Sequence, residues 1–213
     1  FMDLSRQYST CGFTGLHEAL SILGFDMLTE EGLQAAEDAL TVINETNAKL
    51  SKLLGTPHNM EQVPAESSAV KLAKKDALLG LNPEGIPLYS NQFLPLWEEG
   101  ADLLDRIRVQ GRLDGHCTGG AICHLNVATE ITDPAVMEAL IHHAAASGAV
   151  YFAVNPQINR CAQGHMTVGR NDACPTCGAP VIDTFTRVVG FLTNTKHWNK
   201  TRREHDWPER KFV

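Results

Sequence analysis

The longest regular pattern of apolar and polar positions runs from Thr29 to Leu54. Leu33, Ala36, Ala39/Leu40, Ile43, Leu50 and Leu53/Leu54 keep a rough helical period, so one long amphipathic helix is predicted. Thr29 suits its N-cap, Glu30 and Glu31 its first turn, Lys49 and Lys52 its last, and Gly55 its stop. A second helix opens at Asp133-Pro134, with Asp as N-cap and Pro at the first helical position. Val136, Leu140, Ile141 and Ala144 form its apolar face, and Gly148 closes it. Pro95 to Leu113 suggests a third, with Trp97, Ala101, Leu104, Ile107 and Arg108 on mixed faces.

Between these lie strand patterns. Tyr8 to Leu20 reads as a strand, a glycine-bearing loop and a helix, with Cys11 mid-strand and Glu18 just past the loop. Val63 to Ala73 is a strand end turning into a helix, and Val150 to Asn155 is a buried strand. After a glycine-rich turn, alternation puts Ile122, His124 and Asn126 on one face and Cys123, Leu125 and Val127 on the other. The Gly-, Pro- and Asn-rich stretch from Asp76 to Leu96 reads as a surface loop or the rim of a site. Helix followed by strand, twice over, suits half of an α/β barrel better than a sandwich.

Composition narrows the classes. The chain has 213 residues and is 43% hydrophobic, enough for one substantial domain plus a small appendage. A net charge of −7 carries no overall polycationic signature of nucleic-acid binding. No apolar run approaches the roughly 18 residues that a membrane span needs, and no signal-peptide pattern opens the chain. The cysteines lack a regular extracellular disulfide spacing and three sit in a metal-like cluster, which favours a reducing, cytoplasmic setting. Phe1-Met2-Asp3-Leu4 leads within a few residues into an apparent strand, as expected of a fragment or of one half of a split protein.

The strongest chemical signal is Cys161-x3-His165-x8-Cys174-Pro-Thr-Cys177-Gly178. The Cys-x2-Cys-Gly turn aims two thiolates inward, and a second pair would complete a tetrahedral, closed and therefore structural zinc shell. Two alternatives remain: three thiolates completed by another group, or free cysteines. His116, Cys117, Cys123 and His124 do not make a comparable site, because Cys117 and Cys123 share parity along an extended segment and their sulfurs would be far apart. The turn Ala65-Glu66-Ser67-Ser68 brings small residues to a helix start, where unpaired N–H groups attract anions. Glu66 itself would repel phosphate, which leaves it to orient the turn or touch a sugar. Gly190 interrupts the apolar run Val188-Val189-Gly190-Phe191-Leu192 and reads as a bulge or tight turn. Read from residue type alone, Cys11 is a small buried apolar group and Glu18 a carboxylate favouring a helix dipole. From Arg187 onward seven cations face three anions, a tail that either binds nucleic acid or packs as an amphipathic cap.

Arg187-Val188-Val189-Gly190-Phe191 resembles the Arg-Val-x-Gly-Tyr/Phe signature of glycyl radical enzymes. With the knuckle upstream, and Thr193-Asn-Thr-Lys and Trp198-Asn-Lys-Thr-Arg-Arg-Glu downstream, the chain resembles the C-terminal part of anaerobic (class III) ribonucleotide reductases. The resemblance implies the second half of a ten-stranded α/β barrel over residues 1–157. It further implies a zinc-binding knuckle over 158–182 and a glycyl radical loop and tail over 183–213. It implies that Gly190 carries the radical, generated by an activating enzyme that uses S-adenosylmethionine and an iron–sulfur cluster. By the same resemblance Glu18 acts as acid/base on the ribose hydroxyls and Cys11 is one reducing thiol. Ala65, Glu66, Ser67 and Ser68 hold substrate phosphates, and Gly119-Gly120 with His124 forms a wall of the substrate site. Tyr89-Ser90-Asn91-Gln92 resembles a family loop of unassigned role. Implied partners are the N-terminal half or subunit, the activase, a thioredoxin-like reductant (formate being the alternative) and a nucleoside triphosphate, in a homodimeric full enzyme. Where the family has Cys-x2-Cys-Gly-His this chain has Cys161-Ala-Gln-Gly-His165, which makes His165 the natural fourth zinc ligand. Two rival readings are a zinc-ribbon interaction module in which Gly190 is a structural bulge, and another glycyl radical enzyme, which would lack the knuckle.

Overall fold

The computed structural model describes residues 3–82, 84–188 and 190–213. Phe1-Met2, Pro83 of the 76–96 stretch and Val189 of the glycine motif lie outside the described residues. Two parallel strand pairs carry the first part of the chain. Strand β1 (Ser9–Phe13) pairs with β2 (His58–Gln62), and β3 (Cys123–Val127) pairs with β4 (Phe152–Pro156). The residues entering β3 join the pairs: Glu61 and Gly120 form a parallel bridge, and the Gln62 N–H donates to the Gly120 carbonyl at 3.0 Å.

Each parallel step needs a crossover, and helices supply it. Helices α1 (Leu16–Ile22) and α2 (Glu30–Leu54) connect β1 to β2. Helix α2 matches its expected bounds: Thr29 accepts from the Gly32 N–H, and Gly55 ends it in a left-handed conformation. Its Leu33, Ala36 and Leu40 bury against Met60, Phe93 and Leu113. Between β2 and β3 lie α3 (Ser68–Leu78) and α4 (Leu103–Asp114). Helix α5 (Pro134–Ala146), capped by Asp133, joins β3 to β4. Cys123 and Leu125 pack with Ile107, Leu140 and Ala144 of α4 and α5, as the alternation requires. Gly111 of α4 allows the end of α5 to come close, since a Cβ there would stand 2.1 Å from the Ser147 carbonyl oxygen.

Three expectations need correction. The helix sought over Pro95–Leu113 begins only at Leu103, where Asp102 and Asp105 cap each other reciprocally. The 76–96 stretch is only in part the surface loop or site rim expected: residues 79–81 and 84–87 are exposed or half-buried, and Glu84, Ile86 and Pro87 line a cavity with Glu18. Helix α3 occupies its start, and Leu88, Phe93, Leu94 and Leu96 are buried. On α5 only Leu140 and Ala144 are buried, while Val136 and Ile141 are half exposed.

The chain then changes direction of pairing. Strands β5 (Ile158–Cys161), β6 (Met166–Val168), β7 (Val181–Arg187) and β8 (Leu192–Asn194) form one antiparallel sheet in the order β6-β5-β7-β8. β7 is continuous across residues 182 and 183, so the cysteine knuckle and the glycine loop are opposite ends of one sheet. A 3-10 turn (Thr195–His197) and a short helix α6 (Lys200–His205) complete the chain. No described helix is long and apolar enough to cross a membrane.

Candidate functional site

Gly190 lies in the turn between β7 and β8, with φ +98, a region that disfavours any residue with a Cβ. The expected tight turn is therefore present. Glu61, Gln62 and Pro64 from the β2 side, Gly120 to Ile122 from the approach to β3, and Tyr151 bound a cavity of about 370 Å³, which Gly190 and Phe191 complete. The glycine thus faces a space walled by the parallel strands.

The loop is gripped from several sides. Arg187 donates from Nη1 to the Gly190 carbonyl, and the Val188 N–H donates to the Phe191 carbonyl at 3.2 Å. Asn155 of β4 accepts from the Arg187 N–H at 3.0 Å and from the Thr186 hydroxyl at 3.2 Å, while its own amide donates to Asn126 of β3 at 2.6 Å. Arg210 donates to the carbonyls of Arg187 (2.6 Å) and Val188 (3.4 Å), with its guanidinium 4.5 Å over the Trp198 ring.

Of the two readings of the tail, the packed cap is the one found, with Lys196, Lys200 and Arg203 left exposed. Arg202, Asp206 and Arg210 are almost wholly buried, and one Asp206 carboxylate binds both guanidiniums, at 2.7 Å to Arg202 and 2.6 Å to Arg210. Burial works against ionisation of Asp206, but the two cations outweigh it and its pKa lies below the ordinary carboxylate value. The only signal in the sequence was the Arg-x3-Asp-x3-Arg spacing, which a count of net charge passes over.

Next to Pro64 of the cavity wall, the turn expected to bind anions has its own strain. Ala65 adopts φ +48, and α3 starts at Ser68 without a side-chain cap from Ser67. Glu66, Ser67 and Ser68 are exposed. The Glu66 carbonyl accepts from Arg202 Nε at 3.0 Å, which ties this turn to the tail.

His124 is buried on β3 with neither ring nitrogen paired among the described residues. Burial, then the Arg210 and Arg187 guanidiniums, push its pKa down to about 3, so the ring is neutral near pH 7. The 89–92 loop, without a role from sequence, proves to be a clamp. The Ser90 N–H donates to Glu18 at 2.7 Å, while the Gln92 side chain donates to the Ile122 carbonyl at 2.9 Å and accepts from the His124 N–H at 3.0 Å.

Glu18 and Cys11 are not brought to Gly190. Glu18 lines a different cavity of about 350 Å³, with His17, Glu84, Trp97, Glu204 and His205 among its neighbours. Burial pushes its pKa up to about 7, against the hydrogen bond from Ser90. Cys11 is on β1 as expected, but exposed rather than buried.

At the far end of the antiparallel sheet Cys161, His165, Cys174 and Cys177 converge, with their ligand atoms all within 4.8 Å of one another. Cys161 Sγ lies 3.9 Å from Cys177 Sγ, and His165 Nδ1 lies 3.2 Å from Cys177 Sγ and 3.8 Å from Cys174 Sγ. Thiolates bonded to zinc at about 2.3 Å stand about 3.8 Å apart along a tetrahedron's edge, so this donor set is compatible with zinc.

Comparison with known proteins now has a geometry to explain. A family model described as anaerobic ribonucleoside-triphosphate reductase matches residues 2–212. Comparison with curated proteins gives no match. A solved structure titled "Anaerobic ribonucleotide reductase" is 38% identical with a TM-score of 0.88, covering 98% of this chain and 34% of that one. The Thermotoga maritima anaerobic ribonucleotide reductase with glycerol in the active site is 38% identical, with a TM-score of 0.81, over 95% of this chain and 34% of that one. The same enzyme in complex with dATP and CTP gives 38% and 0.78, over 93% and 33%. The chain therefore spans about a third of the length of these structures. With a family model matched from end to end and an α/β fold shared with these structures, the chain belongs to the anaerobic ribonucleoside-triphosphate reductase family.

Proposed function

We propose that this chain is the radical-bearing C-terminal part of an anaerobic ribonucleotide reductase, converting ribonucleoside triphosphates to deoxyribonucleotides together with further polypeptide that completes the barrel. The carrying observation is Gly190, left-handed and at a hairpin tip, facing a cavity walled by β2 and the approach to β3. A radical on the glycine α-carbon stays planar because no side chain forces it out of plane, so its spin spreads between amide nitrogen and carbonyl.

In this reading residues 1–157 form the second half of a ten-stranded barrel, 158–182 the knuckle, and 183–213 the radical loop and tail. An activase with an iron–sulfur cluster and S-adenosylmethionine removes a hydrogen atom from Gly190. The glycyl radical then takes a hydrogen atom from a cysteine outside this chain, and that thiyl takes the ribose 3′ hydrogen. The 2′ hydroxyl leaves as water after protonation. Two electrons enter from a thiol pair, of which Cys11 is one member and which ends as a disulfide, or from formate, which ends as carbon dioxide; the cysteine then returns its hydrogen to C3′ and is left again as the thiyl. Exposure of Cys11 on β1 supports its meeting a second thiol on added polypeptide. Ala65 to Ser68 hold the phosphates, supported by the uncapped start of α3. For Glu18 as proton donor the support is its pKa near 7, not proximity to Gly190. For His124 the support is a neutral ring without a partner among the described residues, two positions from Ile122 of the cavity wall.

Zinc, held by Cys161, His165, Cys174 and Cys177, would brace the stem of the loop and take no part in the reaction. Exposed Tyr151, Val150 and Phe191 suit a face completed by added polypeptide, with the full enzyme a cytoplasmic homodimer. Anaerobic incubation with a radical S-adenosylmethionine activase should yield a glycyl doublet in low-temperature EPR. It should vanish in Gly190→Ala, and air should cut the chain at Gly190. Absence of any doublet in a folded, zinc-loaded sample would overturn the reading.

A further inference from the structure

A continuous run of charge-assisted hydrogen bonds, buried at its centre and part-buried at its ends, joins the turn at Ala65 to the glycine loop. From the Glu66 carbonyl it passes to Arg202 Nε (3.0 Å), from Arg202 Nη1 to Asp206 (2.7 Å), and from Asp206 to Arg210 through Nε (2.6 Å) and Nη2 (3.0 Å). Arg210 then holds the Arg187 and Val188 carbonyls, and Arg187 holds that of Gly190. Each member restricts the next, so the turn and the loop share one rigid connection.

Its charge does not balance. Two guanidiniums face one carboxylate, and the Arg202 and Asp206 side chains are 1% and 0% exposed. Arg202 Nη2 is buried and has no partner among the described residues. A buried charge without full compensation is costly, and an anion nearby relieves that cost. The excess lies beside the uncapped start of α3, where Ala65 already holds a strained backbone.

We infer that Arg202, Asp206 and Arg210 are positioning residues that couple the two sites: a polyphosphate in the Ala65–Ser68 turn tightens the seat of the Gly190 loop. The inference rests on the phosphate role given to that turn under the proposed function. Its consequence is that the loop closes on the cavity most firmly when nucleotide is present. Empty protein keeps the loop looser and easier for an activating partner to reach.

Amide hydrogen exchange of the full chain, with inorganic tripolyphosphate as the probe, separates the possibilities. In the unmodified protein tripolyphosphate should slow exchange both at Ser67–Val70 and at Val188–Leu192, the latter by roughly fivefold or more. In Asp206→Asn and in Arg202→Lys, which retains the cation but loses the fork, protection at Ser67–Val70 should persist while that at Val188–Leu192 is lost. Exchange in α2 reports whether either variant remains folded, and Arg202→Lys serves if Asp206→Asn does not. No protection at Ser67–Val70 would overturn the phosphate role and this inference with it. Protection there without any at the loop, or loop protection retained in a folded variant, would overturn the coupling alone.

Discussion

The two ends of the antiparallel sheet solve the problem of holding a turn in opposite ways. At one end, four donors within 17 residues of sequence converge on a point and a single ion can lock them. At the other, Gly190 contributes no side chain, and its turn is held by carbonyls gripped by Arg187 and Arg210 and by the Arg187 N–H that donates to Asn155. The first is stable by itself once metal is bound. The second is only as firm as its surroundings, as the proposed function would require of a loop reached by an activating partner.

The comparison breaks most visibly at the metal end. Cys177→Ala should abolish stoichiometric zinc and melt β5 and β6, since structural zinc contributes about 10 kcal/mol to such knuckles. Metal analysis with exchange at residues 158–168 checks this, and α2 should be unaffected. At the glycine end, Arg210→Met leaves Asp206 buried with one cation fewer and should cost about 3–5 kcal/mol, read from denaturant unfolding, while zinc content stays unchanged.

Glu18 serves as a control away from both ends. Its carboxyl has a folded pKa of about 7 against an ordinary 4.5, so the folded form holds the proton more tightly. The stability this confers is fully present below pH 4.5 and is lost as pH rises through 7. Glu18→Gln should remove that slope, a difference on the order of 3 kcal/mol between pH 4 and pH 8 in paired unfolding curves. Gly190→Ala should cost about 1–2 kcal/mol, because φ +98 is strained for alanine although its Cβ would meet nothing within 4 Å. Smallest of all, His165→Cys should keep one zinc per chain with little change in thermal midpoint. Loss of zinc would remove His165 as an acceptable position for a ligand.

What could be read in the sequence was local. Helix α2 carried its own period and both caps within 27 residues, and Asp133-Pro134 announced α5 in two. The knuckle was legible for the same reason, its ligands sitting at the end of β5 and on the two turns that flank β6. Long-range arrangements were not. Arg202 reaches a carbonyl 136 positions earlier, so its partner could not be named from the tail, where only charge was visible. Past residue 87 the 76–96 stretch misled, because Gly, Pro and Asn report chain reversal, not exposure. Ser90 and Gln92 bury there by bonding to Glu18 and to β3. On α5 a wide apolar stripe suggested more cover than α4 and β3 provide, which left Val136 and Ile141 half exposed.

Asn155 is the seam at which parallel and antiparallel pairing meet, joining β4 to both Asn126 and β7. A carboxamide neither gains nor loses a proton across the physiological range and is little affected by dissolved salt. The alignment of the two sheets should therefore survive acid strong enough to protonate Asp206 and untie the arginines of the tail, leaving the spine of the molecule to a neutral side chain.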